Sequence, residues 1–185
     1  STKRVMACAP HAEHPFFQRC TEGHDLPLIS QQGRDLGERM LNAFSWGFKN
    51  GFPKVVVTGC DSPTLPPAFI QHAFEKLSEV DLVIGPGLDG GYYLIGKRRL
   101  IPAVFSGLAW GTETVLTRTL AFLNQQKQTY SLLPFWYDID RPADLAFLRE
   151  HLHYLRTQKE TDSNPTAQAT SEVLASLKTG DIFTK

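Results

Sequence analysis

Short β-branched or apolar runs alternate along this chain with longer stretches that carry a helical stripe, and that alternation is its strongest constraint. KVVVTG (54–59) is the clearest strand, because three successive valines favour extended backbone and suit a surface buried on both faces. RVMACA (4–9), Leu26 to Ile29, Asp81 to Gly85, Tyr92 to Ile95 and Tyr130 to Leu133 read as further strands. Between them, Leu36, Met40, Phe44 and Phe48 recur every four residues. Phe69, Ile70, Ala73, Phe74 and Leu77 make a second stripe. Val115, Leu116, Leu120 and Leu123 make a third, and Leu145, Leu148, Leu152 and Leu155 a fourth. Periods of this kind place apolar side chains on one helix face. A shorter helix is predicted over 14–20, with Phe16 and Phe17 facing inward. Asp35 is placed to cap the long helix, with Glu38 three residues on and Gly51 past its end. Strands alternating with helices imply an α/β domain with a mostly parallel sheet covered on both sides.

The 185 residues fit one domain. Nineteen basic side chains balance nineteen acidic ones, which excludes the basic surface of a nucleic-acid binder. No apolar run approaches the roughly 20 residues of a membrane span, and no signal-peptide pattern opens the chain, so a cytoplasmic protein is expected. Cys8, Cys20 and Cys60 have neither disulfide nor zinc spacing and read as reduced thiols. Cys60 is expected to be a small buried filler. Residues 157–185 are richer in Thr, Ser, Gln and Lys and read as a polar, flexible tail, with a helical turn or two near Val173 to Leu177.

Four segments carry the residue types that chemistry needs. VVVTGCDSPTLP (55–66) runs from a buried strand through Gly59 to Asp61 in a proline-stiffened loop. Ligands of open α/β sheets bind beyond the carboxyl ends of strands. A rigid carboxylate there suits Mg²⁺ or Mn²⁺, which take hard oxygen ligands and keep several waters; capping of a turn is the alternative role. In WYDIDRPADL (136–145), Asp138 and Asp140 alternate and share a face if the strand persists, although Asp140 is also placed to cap the helix that follows. GPGLDGGYYLIG (85–96) has five glycines around Asp89. That is more than a simple Asp-Gly hairpin needs, and it favours a loop whose amides approach a ligand. In LAWGTETVL (108–116), Trp110 suits stacking on a sugar or base equally with filling the core, and Thr112 is placed to cap a helix. The six histidines show no metal-ligand spacing.

Taken in order, QQGRDLGERM, VVVTGCDSPTLP, GPGLDGGYYLIG, AWGTETVL and YDIDRPADL resemble a bacterial glycosyltransferase-like family, the rSAM/selenodomain-associated transferase type. That family was formerly catalogued as a domain of unknown function and is similar to GT-A-fold nucleotide-diphospho-sugar transferases. The resemblance spans about residues 4–150. It implies a three-layer α/β/α domain with a mostly parallel mixed sheet over 1–156, and a nucleotide-sugar or nucleotide substrate. It also implies Mg²⁺ or Mn²⁺ held by Asp61 and Asp140. Asp89 matches the loop on the acceptor side, as orienting group or base, with Gly90 and Gly91. Gly33, Asp35, Gly37 and Arg39 match a segment beside the nucleotide pocket, where Arg34 replaces the family's usual second glycine. Trp110 and Thr112 match a further substrate-side position.

One departure stands out. Family members open with an apolar strand and a basic loop of the type AKxPxxGxxKTRL, whereas STKRVMACAPHAEHPFF corresponds to the family's second strand. The resemblance therefore implies an N-terminally incomplete domain with weak or absent nucleotide affinity. A vacant sheet position would leave backbone groups unpaired and make room for another chain, a homo-oligomer included. The leading expectation is a metal-dependent sugar transferase. The alternatives are a nucleotidyltransferase acting on a phosphorylated small molecule, and a non-catalytic remnant serving as an interaction module.

Overall fold

Two strands, β4 (Leu82–Pro86) and β5 (Tyr92–Lys97), make the centre of the protein, buried along nearly their whole length. The 87–91 turn joins them as an antiparallel hairpin with Ile84 opposite Ile95. β3 (Val55–Thr58) lies antiparallel on the far side of β5, with Val56 opposite Gly96. β6 (Tyr130–Leu132) lies parallel to β4, which gives the order β3-β5-β4-β6. β1 (Met6–Cys8) and β2 (Leu28–Ser30) form a separate parallel pair. The computed structural model describes residues 2–157 and 165–176.

The fold class is the mixed α/β architecture expected from sequence. The pairings divide evenly, however, because β5 reverses at the hairpin and runs antiparallel to both neighbours, and the strands fall into two sheets. β3 and β1 are edge strands among the described residues.

Helices cover both faces. α2 (Leu36–Lys49) packs Met40 and Phe44 against Leu82, Ile84 and Ile95. The 3₁₀ turn Pro102–Phe105 and α4 (Val115–Gln125) add Val104, Phe105 and Leu123 to that face. α3 (Pro67–Lys76) and the residue after it place Ala73 and Leu77 on the opposite face, against Val83 and Leu94. Leu82 and Ile84 on one side and Val83 on the other follow the two-residue period of a strand. The α2 stripe begins at Met40, since Leu36 in the first turn is exposed. α1 (Pro15–Thr21) buries no residue; Phe16 is exposed and Phe17 half-buried, so the inward pair expected there does not form.

α5 (Pro142–Thr157) and α6 (Pro165–Ser176) pack through Leu148, Leu152 and Leu174, with Tyr137, Ile139 and Leu145 at the border. α6 extends further than the turn or two expected near 173–177; residues 158–164 and 177–185 of the predicted tail lie outside the described residues. No helix among the described residues is long and apolar enough to cross a membrane.

Candidate active site

β3 and β4 both run antiparallel to β5, and β6 runs parallel to β4. The carboxyl ends of β3, β4 and β6 therefore open on one edge of the sheet. The chain leaves β3 into the loop of Asp61, β4 into the turn of Asp89, and β6 into the segment of Asp138 and Asp140. Backbone hydrogen bonds tie the three together. Ile139 donates to the Asp61 carbonyl at 3.0 Å, Leu88 donates to Trp136 at 3.1 Å, and Trp136 donates to Pro86 at 3.1 Å. A parallel bridge pairs Gly87 with Trp136.

The glycines before the first two aspartates have a steric reason. A Cβ on Gly59 would lie 2.5 Å from Asp61 Oδ1, and one on Gly87 would lie 2.5 Å from Asp89 Oδ1. Both carboxylates fold back over a residue that must lack a side chain. Asp89 Oδ1 also accepts from the Gly91 amide at 2.9 Å, which holds the turn. Of the two readings of GPGLDGG the structure shows the hairpin turn, with the Gly90 and Gly91 amides bonded to the Gly87 carbonyl and to Asp89 within it.

Asp138 is the member of the cluster whose importance the sequence left unassigned. Burial raises its pKa, and the Asp89, Asp140 and Asp61 carboxylates raise it further. Asp138 therefore feels the charge of the other three carboxylates and is the least exposed of the four; Asp61, Asp89 and Asp140 are exposed. Strand alternation of Asp138 with Asp140 was the readable signal. Asp140 does not cap α5: Asp144 accepts from the Asp140 and Arg141 amides at 3.0 and 2.7 Å. Its carboxylate is thereby left for other work.

Among the described residues no three His, Cys, Asp or Glu side chains form a ready-made metal cage. The exposed carboxylates of Asp61 and Asp140 are hard oxygen ligands of the type that Mg²⁺ or Mn²⁺ takes one or two at a time, with waters and phosphate oxygens completing the octahedron.

The remaining predicted residues lie on a second rim. Asp35 caps α2, accepting from the Glu38 amide at 2.8 Å. Glu38 does not return the bond to Asp35; it binds the Arg34 amide at 2.8 Å and the Arg34 guanidinium at 2.6 Å. Those hydrogen bonds pull the Glu38 carboxyl down to about 2. Arg39 donates to the Gly33 carbonyl at 3.3 Å, and Gly33 has a φ of +136°. Gly37 is buried under Trp110, whose ring would lie 2.8 Å from a Cβ there. Trp110 also meets Tyr92 edge-on, with ring centres 6.3 Å apart, and Phe105 at 6.2 Å. The indole therefore packs into the border of the core, joining the α2 start to the loop before α4.

Thr112 donates to the Ala109 carbonyl at 2.8 Å and contacts Thr114 at 2.9 Å. The N-cap position is Thr114, two residues later than expected and without a side-chain cap bond, and the Thr112 hydroxyl is turned back to Ala109 instead. Leu116 donates to the Gly90 carbonyl at 2.9 Å, which links this loop to the Asp89 turn. Cys60 is exposed rather than buried, because β3 ends at Thr58 and the chain turns outward.

No curated protein matches the chain. A crystal structure from Desulfovibrio desulfuricans G20, described as a "putative nucleotide-diphospho-sugar transferase", superposes with a TM-score of 0.75 at 31% identity, covering 94% of this chain and 75% of that one. Molybdopterin-guanine dinucleotide biosynthesis protein A from Archaeoglobus fulgidus superposes at 0.45 with 14% identity, covering 94% and 79%. The first of these shares the fold described above, that of a nucleotide-diphospho-sugar transferase. Residues 1–112 match the family model described as "Uncharacterized protein conserved in bacteria (DUF2064)", and the chain belongs to that family.

Proposed function

We propose that this chain is a metal-dependent transferase, of the rSAM/selenodomain-associated type, that moves a sugar from a nucleotide-activated donor to a hydroxyl acceptor. The observation that carries the reading is the arrival of Asp61, Asp89, Asp138 and Asp140 on one edge of the sheet, from three separate strand ends. Likeness to the D. desulfuricans protein supports it.

In this reading Asp61 and Asp140 would hold a divalent ion through their exposed carboxylates, and when bound it would supply charge neutralisation for a diphosphate leaving group. Asp89, fixed by its bond to Gly91, orients the acceptor hydroxyl and takes its proton as the new bond to the anomeric carbon forms. The bond from that carbon to the diphosphate oxygen breaks, and a nucleoside diphosphate leaves. The side-chain-free backbone of Gly90 and Gly91 lines the acceptor side, and Gly33, Gly37 and Arg39 lie beside the donor.

A transfer assay with nucleotide-activated sugars and Mg²⁺ or Mn²⁺ tests the reading. Asp61→Ala should abolish metal-dependent turnover and leave the circular dichroism unchanged. Unchanged turnover would remove Asp61 from the mechanism. Release of pyrophosphate from a nucleoside triphosphate in place of a nucleoside diphosphate from a sugar donor would mark the reaction as nucleotidyl transfer.

A further inference from the structure

Few bonds hold the Asp61 loop in place. Just past β3, Gly59 donates to the Tyr93 carbonyl at 3.1 Å. From residue 60 to residue 65 the loop makes, among the described residues, two hydrogen bonds to the rest of the chain, and both go to the segment after β6. One runs from the Ile139 amide to the Asp61 carbonyl at 3.0 Å. The other joins side chains: the Thr64 hydroxyl donates to the Tyr137 hydroxyl at 2.7 Å. Within the loop, Leu65 donates to the Ser62 carbonyl at 3.0 Å, and Pro63 and Pro66 have no amide proton to offer.

The side-chain bond is well supported. Thr64 is 2% exposed, so water does not stand in for its partner. On its other side the Tyr137 oxygen lies 2.6 Å from His151 Nδ1 on α5. Since that oxygen accepts from Thr64, its own proton goes to Nδ1. Burial lowers the His151 pKa and so favours the neutral ring that accepts it. Phe147, one helical turn before His151, meets the Tyr137 ring edge to face with ring centres 4.8 Å apart. Tyr137 and Ile139 border the apolar contact of α5 with α6. α5 thus fixes the phenol, and the phenol fixes the loop. Tyr137 and Ile139 alternate in the chain with Asp138 and Asp140, and Asp138 feels the Asp61 carboxylate. The stretch that grips the loop therefore also carries carboxylates of the site.

We propose that Tyr137 is a positioning residue of the cation site: its hydroxyl, held between Thr64 and His151, sets Asp61 against Asp140 so that the two can share one divalent ion. The proposal rests on the transferase reading for the ion, and on the Thr64–Tyr137–His151 chain for the residue. In this role Tyr137 acts through the Asp61 loop and touches neither ion nor substrate. Without its hydroxyl, Thr64 becomes a buried donor with no acceptor, and one backbone bond ties the loop to the segment. The ion must then order the loop itself, and that cost is subtracted from its affinity.

Electron paramagnetic resonance of free Mn²⁺, titrated with the full chain, tests this with no donor present. Tyr137→Phe and Thr64→Val each remove one hydroxyl and keep the side chain's shape. Each should weaken Mn²⁺ binding about tenfold, with circular dichroism unchanged. The double variant should bind no more weakly than either single one, because the two hydroxyls make one bond. Thr64→Ser keeps a hydroxyl and should keep native affinity. Asp81→Asn, which loosens the far end of the hairpin, should bind as the native chain does, and so separates positioning from lost stability. Native affinity in Tyr137→Phe or in Thr64→Val would overturn the proposal. So would losses that multiply in the double variant, a loss in Thr64→Ser equal to that in Thr64→Val, or a like loss in Asp81→Asn. A native chain that takes up no Mn²⁺ would overturn it together with the metal site of the transferase reading. Native affinity in both hydroxyl variants alongside metal-dependent sugar transfer would leave that reading standing alone. The expected Mn²⁺ losses without any sugar transfer would do the reverse.

Discussion

Lys97 ends β5 with no carboxylate beside it, its side chain fully buried. Its ammonium lies 4.4 Å from the centre of the Phe44 ring and 3.7 Å from that of Phe105. Among the described residues it makes one hydrogen bond, a long one of 3.5 Å to the Ile101 carbonyl. Burial pulls its pKa down to about 7, against about 10.4 in an unfolded chain. Between those values the unfolded state binds the proton and the folded state does not, so stability rises with pH across that window and is least at and below pH 7. Lys97→Met should raise stability at pH 7 by on the order of 3 kcal/mol and flatten the rise toward pH 10, as read by urea melts at both values. Gly90 is the opposite case. With a φ of +88° and the Glu113 carbonyl pressed against it, Gly90→Ala should cost more than about 1 kcal/mol in a thermal melt.

Sequence reached these residues unevenly. Asp61 and Asp89 were legible because a glycine two positions earlier marks a tight turn at a strand end. Cys60 was misjudged, since burial at a strand end depends on which way the following loop leaves. Lys97 was invisible as a buried group, because residue type alone places lysine in water.

Among the elements, the hairpin of β4 and β5 is clamped at its open end by Asp81. Asp81 Oδ1 meets Arg98 at 3.0 Å and Arg99 at 3.1 Å, and Oδ2 accepts from the Thr129 hydroxyl at 3.0 Å. Arg99 above all, with Thr129 and Arg98, holds the Asp81 carboxyl well below the usual carboxylate range. The stabilisation is complete above the unfolded pKa of about 3.9 and fades as pH falls toward the folded value. Both arginines are partly exposed, which screens the pair. Asp81→Asn should therefore cost only about 1–2 kcal/mol at pH 7 and lose most of that cost near pH 2, measured by chemical denaturation. α2 to α5 were readable from their four-residue stripes, and the strands from their apolar runs, whereas α6 has no such stripe and was expected only as a turn or two. The reversal at β5 was within reach as well, because the five residues between β4 and β5 suffice for a hairpin and are too few for a crossover.

For the molecule as a whole, topology does what no single motif can. Three strands running the same way deliver four acidic side chains, spread over 80 residues of sequence, to one edge of the sheet. α5 and α6 brace the last of these segments through Leu148, Leu152 and Leu174. The account stands on those carboxylates acting together on one cation. Mn²⁺ titrated into the ¹⁵N-labelled protein measures this directly, through paramagnetic broadening of backbone amide signals. The expected result is that the amides of Asp61, Asp89, Asp138 and Asp140 broaden together at the lowest Mn²⁺ concentrations, and that Asp61→Ala with Asp140→Ala abolishes the effect. Broadening that begins elsewhere, or that touches one of these loops without the others, would contradict it.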